Sequence, residues 1–299
     1  MNEAIRPGPG QPSQAGTTLR LSVIVPTFNE RDNVVTLVQR LDVALAGIAW
    51  EVIFVDDNSP DGTSDVVRML ARRDPRVRCI RRIGRRGLSG ACIEGMLASS
   101  APCAAVIDGD LQHDETQLAR MLGLIEDGSA ELVIGSRYID GGSADSFNTQ
   151  RLGASKFATA VAQRVLRVKI ADPMSGFFMI RRDRFEQLAP QLSTQGFKIL
   201  LDVVATANGD LRVVEVPYTF GSRMHGESKL DSMVALDFLG LVLAKLTNDV
   251  VSLRFLLFAM VGTIGLVIHL TTLFVTHEVL NVPFAEAQAA GALVAMTSN

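Results

Sequence analysis

The chain has few of the features that mark secreted, nucleic-acid-binding or dehydrogenase-type proteins. It holds three cysteines, Cys79, Cys92 and Cys103. An odd number without C-x-x-C spacing favours unpaired thiols in a reducing compartment over a disulfide frame or zinc site. Long Lys/Arg runs are absent, the only basic cluster is Arg81, Arg82, Arg85 and Arg86, and the formal net charge is -3. Nucleic acid is therefore not an expected partner. No Gly-rich dinucleotide fingerprint and no G-x-x-x-x-G-K-[ST] follows a strand-like run, which removes the main support for dehydrogenase and P-loop chemistry. Ser89, Ser136 and Ser175 lack a G-x-S-x-G setting, against a hydrolase triad. The N-terminus carries no apolar signal-peptide core, and residues 1–18, rich in Pro and Gly, are expected to form a flexible tail.

Apolar residues, by contrast, are plentiful: 47% of the 299 residues are hydrophobic and 20% charged. That suffices for one large core with residues left for a small second domain. From Leu21 onward, short β-branched runs alternate with helical patterns, which predicts parallel strands joined by crossover helices in a doubly wound α/β domain. Expected strands are Leu21 to Val25, Val52 to Val55, Val77 to Ile80, Ala104 to Ile107, Leu132 to Ile134, Phe177 to Ile180 and Val213 to Val216. Val34, Leu37, Val38, Leu41 and Leu45 recur at helical spacing, and further helices are expected at Leu88 to Ala98, Glu115 to Glu126 and Leu152 to Leu166. Gly221 to Asp231 reads as a polar loop able to close over a ligand.

The C-terminal part explains the high mean hydropathy. Residues 232–252 read as amphipathic juxtamembrane helices. Phe255 to Val275 has a single ionisable residue, His269, and is long enough to span a bilayer. Lys245 and Arg254 precede this span and no Lys or Arg follows it. The positive-inside rule then expects a membrane protein with its catalytic domain on the cytoplasmic face. Phe284 to Met296, interrupted by Glu286, reads as a broken second span.

Ligands of such sheets bind beyond the carboxyl ends of the strands, where Asp56-Asp57 and Asp108-Gly109-Asp110 both fall. Two carboxylates on one turn suit a divalent cation such as Mg²⁺, which usually takes one or two protein carboxylates plus substrate phosphates. Gln112 can add a carbonyl oxygen. Asp-Gly also favours simple turns, so this pair gains meaning only from its context. Phe28, in a polar turn after the first strand, can stack on a base, although Thr27 and Asn29 are equally helix-capping residues. Asp57 can bind base or ribose.

At these residues the sequence resembles the family 2 glycosyltransferases, and within them the dolichyl- or polyprenyl-phosphate mannosyltransferases. The likeness runs through Val25 to Glu30, Val55-Asp56-Asp57, Asp108 to His113, Gly135 to Tyr138, Ser175 to Phe178, Phe220 to Arg223 and Gly226 to Leu230. It implies a Rossmann-like GT-A nucleotide-sugar-binding domain over residues 19–231, followed by transmembrane helices. Residues 253–299 resemble part of a small GtrA-like membrane domain, departing from it because the chain ends within the second span. Carried over residue by residue, the resemblance implies that Pro26, Phe28, Glu30, Val55 and Asp57 hold the nucleoside. Asp108, Asp110 and Gln112 would bind Mg²⁺ or Mn²⁺ with the donor diphosphate beside Gly109. Arg137, Arg151, Ser155, Arg223 and Lys229 fall where the family places contacts to donor and acceptor phosphates, with Arg137, Arg151 and Ser155 on the acceptor side. Asp110 and Arg137 are the catalytic candidates. Relatives more often have Tyr at position 28 and Ala at position 109.

The chemistry implied is transfer of mannose from GDP-mannose to a polyprenyl or dolichyl phosphate at a lipid bilayer, metal-dependent and inverting. Bringing a phosphate nucleophile to a diphosphate donor costs roughly 3 kcal/mol per pair of unit charges about 5 Å apart at an effective dielectric near 20. A metal and several guanidinium groups offset this. A lipid phosphate is already ionised near neutral pH, so no general base is required. His113 and His225 could act as acid or base but are read as structural or peripheral. A UDP-sugar such as UDP-glucose is the alternative donor. An inactive nucleotide-sugar- or lipid-binding membrane adaptor and a nucleotidyltransferase are readings of other classes.

Overall fold

The computed structural model describes residues 18–143, 170–194, 198–221 and 253–298. The chain divides into two compact units, the first holding the described residues up to 221 and the second those from 253 onward. In the first, seven strands form one sheet: β1 (Leu21–Thr27), β2 (Trp50–Asp56), β3 (Val77–Arg81), β4 (Cys103–Val106), β5 (Leu132–Ser136), β6 (Phe178–Arg181) and β7 (Val213–Pro217). Their order is β3-β2-β1-β4-β6-β5-β7. Every residue of β1 and β2 is buried, which is why the apolar stretches 23–25 and 52–55 dominate them.

The helices are α1 (Val34–Ala44), α2 (Thr63–Ala71), α3 (Leu88–Leu97), α4 (Gln117–Glu126), α5 (Arg182–Leu188) and α6 (Ile199–Ala207). α1 buries Val34, Leu37 and Leu41, the stripe its spacing predicted. α2, α5 and α6 were not anticipated, and each is nine residues or shorter. The expected helix at Leu152 to Leu166, the juxtamembrane residues 232–252 and most of the loop Gly221 to Asp231 lie outside the described residues. So do nearly all residues of the expected tail.

The expectation of an all-parallel sheet needs correction. β6 runs antiparallel to both β4 and β5, while β1, β2, β3 and β4 are parallel to one another in order and β5 is parallel to β7. Residue patterning reports burial but not strand direction, because a strand buried on both faces looks the same either way up. β1 has β2 on one side and β4 on the other, so strand order reverses there and a crevice opens beyond their carboxyl ends. The three cysteines are free thiols, with Cys92 and Cys103 buried.

The second unit, taken by itself, holds α7 (Leu253–Phe274), a π-helical turn (Val275–Val279) and α8 (Phe284–Ser298). Gly291 lets α8 approach α7 closely: a Cβ there would lie 3.0 Å from the His269 carbonyl oxygen. Val261–Val279 is long and apolar enough to cross a membrane by length and composition, and only 6% of its most apolar window is buried. With 15 residues, α8 extends about 22 Å, less than the hydrocarbon thickness of a bilayer.

Candidate active site

Beyond β1 the chain turns at Asn29 (φ +58°), and beyond β2 at Asn58 (φ +57°), left-handed positions that asparagine tolerates. Three main-chain N–H groups join the two turns. Asn29 donates to Ser59 Oγ (2.9 Å), Glu30 to Thr63 Oγ1 (3.1 Å) and Arg31 to Asp61 Oδ2 (3.1 Å). Neither Thr27 nor Asn29 caps α1, whose N-cap position is Asn33.

The adjacent acids have different tasks. Asp56 is fully buried and organises its own loop, accepting from Ser59 N–H at 3.0 Å and from the hydroxyls of Ser59 and Ser64. Asp57 accepts from Arg82 Nη1 (2.6 Å) and Gly87 N–H (2.7 Å). Burial pushes the Asp57 carboxyl upward, and those two donors oppose it. Arg82 is itself buried and also donates to Gly87 O and Glu94. A Cβ on Gly90 would come within 2.6 Å of Arg82 Nη2, so the first turn of α3 packs directly on this guanidinium.

Phe28 carries the Arg86 guanidinium over its ring at 4.8 Å, so a stacking base would have to share or displace that cation. Glu30 accepts from Asn33 Nδ2 at 2.7 Å. Pro26 and Val55 are register partners on β1 and β2 and both are buried. Val55 therefore offers a ligand only its main chain.

Beyond β4, Leu111 adopts φ +61° while its side chain stays in the core. A left-handed leucine costs roughly 1–2 kcal/mol, here borne by the packing of that side chain. The kink brings Gln112 N–H to 3.2 Å from Asp110 Oδ1. Gln112 also exchanges two bonds with Gly221: its Nε2 donates to Gly221 O (2.9 Å), and its carbonyl accepts from Gly221 N–H (2.8 Å). The amide oxygen is then the Gln112 atom available to a cation. Gly109 sits against the β1 turn: a Cβ there would meet Thr27 Cγ2 at 3.3 Å and Glu30 Cγ at 3.6 Å.

Asp108 is the more open of the two carboxylates, with 36% of its side chain exposed against 7% for residue Asp110 as a whole. Its Oδ2 lies 3.2 Å from His113 Nε2, and His113 Nδ1 lies 2.9 Å from the Tyr218 hydroxyl. Gly176 closes the other side, since a Cβ there would fall 2.6 Å from Asp108 Oδ2. Burial alone would raise the Asp108 pKa; His113, Lys198 and Arg137 outweigh it and hold the carboxyl below its ordinary value. Phe177, Tyr218 and Phe220 surround the imidazole with ring centroids 5.4–5.5 Å away.

Arg137, expected to grip phosphate, forms a buried two-pronged ion pair with Asp172. Its Nε lies 2.7 Å from Oδ2 and its Nη2 2.8 Å from Oδ1, and Arg137 N–H also reaches Oδ2 at 3.1 Å. Burial would lower the Arg137 pKa, but Asp172 more than reverses that and raises it. Glu215 on β7 anchors the turn by accepting from Ala171 and Asp172 N–H groups. A phosphate contact through the Arg137 fork would therefore compete with Asp172. The other predicted cations, Arg151, Arg223 and Lys229, lie outside the described residues, as do Ser155 and His225.

The donor set suits a hard cation shared with a substrate diphosphate. Asp108, Asp110 and Gln112 offer oxygen atoms only, while among the described residues no cluster of three or more His, Cys, Asp or Glu forms a self-sufficient cage. The structure thus brings Glu30, Asp57, Asp108, Asp110 and Gln112 to one crevice. Sequence reasoning gave no role to Arg82, Asp172, Gly176 or Tyr218, and it read His113 as structural or peripheral, a reading its burial does not contradict. Gly176 was visible as part of a motif without a reason; nothing local marked the others.

Residues 22–189 match the family described as Glycosyl transferase family 2. This chain belongs to that family. A dolichol-phosphate mannosyltransferase of Pyrococcus furiosus is 37% identical over 253 residues, covering 84% of this chain and 70% of the relative. One from Saccharomyces cerevisiae is 36% identical, covering 74% and 85%. A polyprenol monophosphomannose synthase of Mycolicibacterium smegmatis is 35% identical, covering 73% and 84%. Among solved structures, glucosyl-3-phosphoglycerate synthase from Mycobacterium tuberculosis, in complex with Mn²⁺, UDP and phosphoglyceric acid, superposes with TM-score 0.59 at 18% identity over 78% and 80% of the chains. Mannosyl-3-phosphoglycerate synthase from Rubrobacter xylanophilus gives 0.57 at 18% over 77% and 75%. The fold is thus the mixed α/β, GT-A-like fold with a central sheet, and this family 2 member is a glycosyltransferase.

Proposed function

We propose that this glycosyltransferase moves mannose from GDP-mannose to a polyprenyl phosphate, releasing GDP with inversion at the anomeric carbon. The observation that carries the reading is the coverage of most of this chain by relatives named for polyprenyl-phosphate mannose synthesis, at 35–37% identity. The neighbour bound to UDP is only 18% identical and speaks for the fold, so it does not shift the donor to UDP-glucose.

Pro26, Phe28, Glu30, Val55 and Asp57 form the nucleoside side, with Asp57 aimed by Arg82 and Gly87. Asp108, Asp110 and Gln112 hold Mg²⁺ or Mn²⁺ beside Gly109. When bound, such a cation offsets charge on the departing diphosphate. Arg151, Ser155, Arg223 and Lys229, with Arg137 in exchange with Asp172, face the phosphates. The acceptor phosphate is ionised at neutral pH, so these residues orient and neutralise rather than remove a proton. Residues 19–231 are the catalytic domain, 232–252 lie along the bilayer and 253–299 anchor the chain from the cytoplasmic side. An exposed apolar α7 and a lipid acceptor confined to the same bilayer support that placement.

The test is transfer of radiolabelled sugar from GDP-mannose or UDP-glucose to a short polyprenyl phosphate, with Mg²⁺ or EDTA, for wild type and Asp110→Ala. Lipid product from GDP-mannose that needs metal and disappears in the variant is expected. Product from UDP-glucose alone would overturn the donor assignment. GDP-mannose binding with no transfer under any condition would move the reading to the inactive adaptor.

A further inference from the structure

His113 is buried, carries no assigned contact to donor or acceptor, and reaches Asp108 at 3.2 Å. A carboxylate can only accept, so Nε2 carries the proton and donates it to Asp108 Oδ2. The other ring nitrogen, Nδ1, lies 2.9 Å from the Tyr218 hydroxyl, within hydrogen-bond distance. The resulting chain links the Tyr218 hydroxyl to His113 Nδ1, and His113 Nε2–H to Asp108 Oδ2. Gly176, whose absent Cβ would fall 2.6 Å from the same oxygen, leaves the carboxylate room to sit against this donor.

We propose that Tyr218 and His113 are positioning residues that fix which oxygen of Asp108 faces the cation. The inference rests on the reading of Asp108 as a metal ligand given above. It assigns Tyr218 a task that aromatic packing alone does not require. Its ring already makes edge contacts with Phe177 (5.4 Å) and Phe220 (6.3 Å), so phenylalanine would fill the core equally well. Because Tyr218 follows β7 and Gly221 clasps Gln112, the segment 218–221 supports two of the three proposed ligands from outside their own loop.

The experiment is Mn²⁺ binding, read from the free-ion electron paramagnetic resonance signal with GDP present and no acceptor. It compares wild type with Asp108→Asn, Tyr218→Phe, His113→Asn and His113→Gln. Expected is loss of binding in Asp108→Asn and about tenfold weaker Mn²⁺ in Tyr218→Phe and His113→Asn. His113→Gln, whose amide nitrogen can replace Nε2, should recover part of the loss. In transfer assays Tyr218→Phe should raise the Mn²⁺ concentration needed for half-maximal rate and leave kcat at saturating metal within about twofold of wild type. Wild-type affinity in Tyr218→Phe, with Asp108→Asn inactive in binding, would overturn the relay and leave the metal reading standing. Unchanged binding in Asp108→Asn would overturn both.

Discussion

The two flanks of the crevice are built on different principles. On the β1–β2 flank, loop bonds dominate: Asp56 is satisfied by Ser59 and Ser64, and main-chain N–H groups of the Asn29–Arg31 turn donate to hydroxyls and a carboxylate of residues 59–63. On the flank formed by β4, β5, β6 and β7, the important bonds join residues far apart in the chain: His113 to Tyr218, Gln112 to Gly221, and Arg137 to Asp172. Loop bonds of this kind tolerate the loss of one partner, because neighbouring donors can shift, whereas the buried Arg82–Asp57 pair on the same flank does not. A flank held by long-range buried pairs does not, because each missing partner leaves a charge or donor without water.

That contrast can be broken most severely at Asp172. Asp172→Asn removes the charge opposite a buried guanidinium and should cost about 3–5 kcal/mol, read as a lower urea midpoint at unchanged m value. Loss under about 1 kcal/mol would show the pair to be dispensable. Next, Gly176→Ala places a methyl against Asp108 and should weaken Mn²⁺ binding by about 10–100-fold while circular dichroism stays native. On the other flank, Glu51 supplies a control at the far end of β2. It accepts from Ser22, Arg78 and Ser100 N–H. Burial would raise its pKa, but these donors outweigh it and depress it. Its contribution should therefore be full above the ordinary carboxylate range and disappear as pH falls through the lowered folded value. Glu51→Gln should cost about 1–3 kcal/mol at pH 7 and progressively less in acid, in urea melts across pH. The smallest effect belongs to Gly109→Ala, whose methyl lands 3.3 Å from Thr27 and 3.5 Å from Val25 at a backbone angle alanine accepts. A stability change below about 1 kcal/mol and retained transfer are expected.

Much of the catalytic unit could be read from residue order. The largely apolar runs at Leu21, Val52 and Leu132 became strands buried on both faces of a covered sheet, whereas β3 at its edge mixes apolar and polar residues. Asp57 directly follows β2, and Asp108 and Asp110 fall in the turn just beyond β4 (Cys103–Val106), so all three stand at the sheet's carboxyl edge. The direction of β6 was not legible, since burial patterning is blind to it. Nor was the capture of the Arg137 fork: the sequence presents a plausible phosphate-binding cation, and only the turn at Asp172, anchored by Glu215, supplies its partner.

The sequence by itself determined the family, the sheet edge that bears the carboxylates and the apolar character of α7, because these depend on local runs and strand-end positions. The tertiary structure alone decided that Arg82 braces Asp57, that Gly176 and His113 frame Asp108, and that Tyr218 stands behind His113. The Arg82–Asp57 and Tyr218–His113 bonds span 25 and 105 positions of chain, and no local pattern encodes which distant side chain will arrive when the sheet closes.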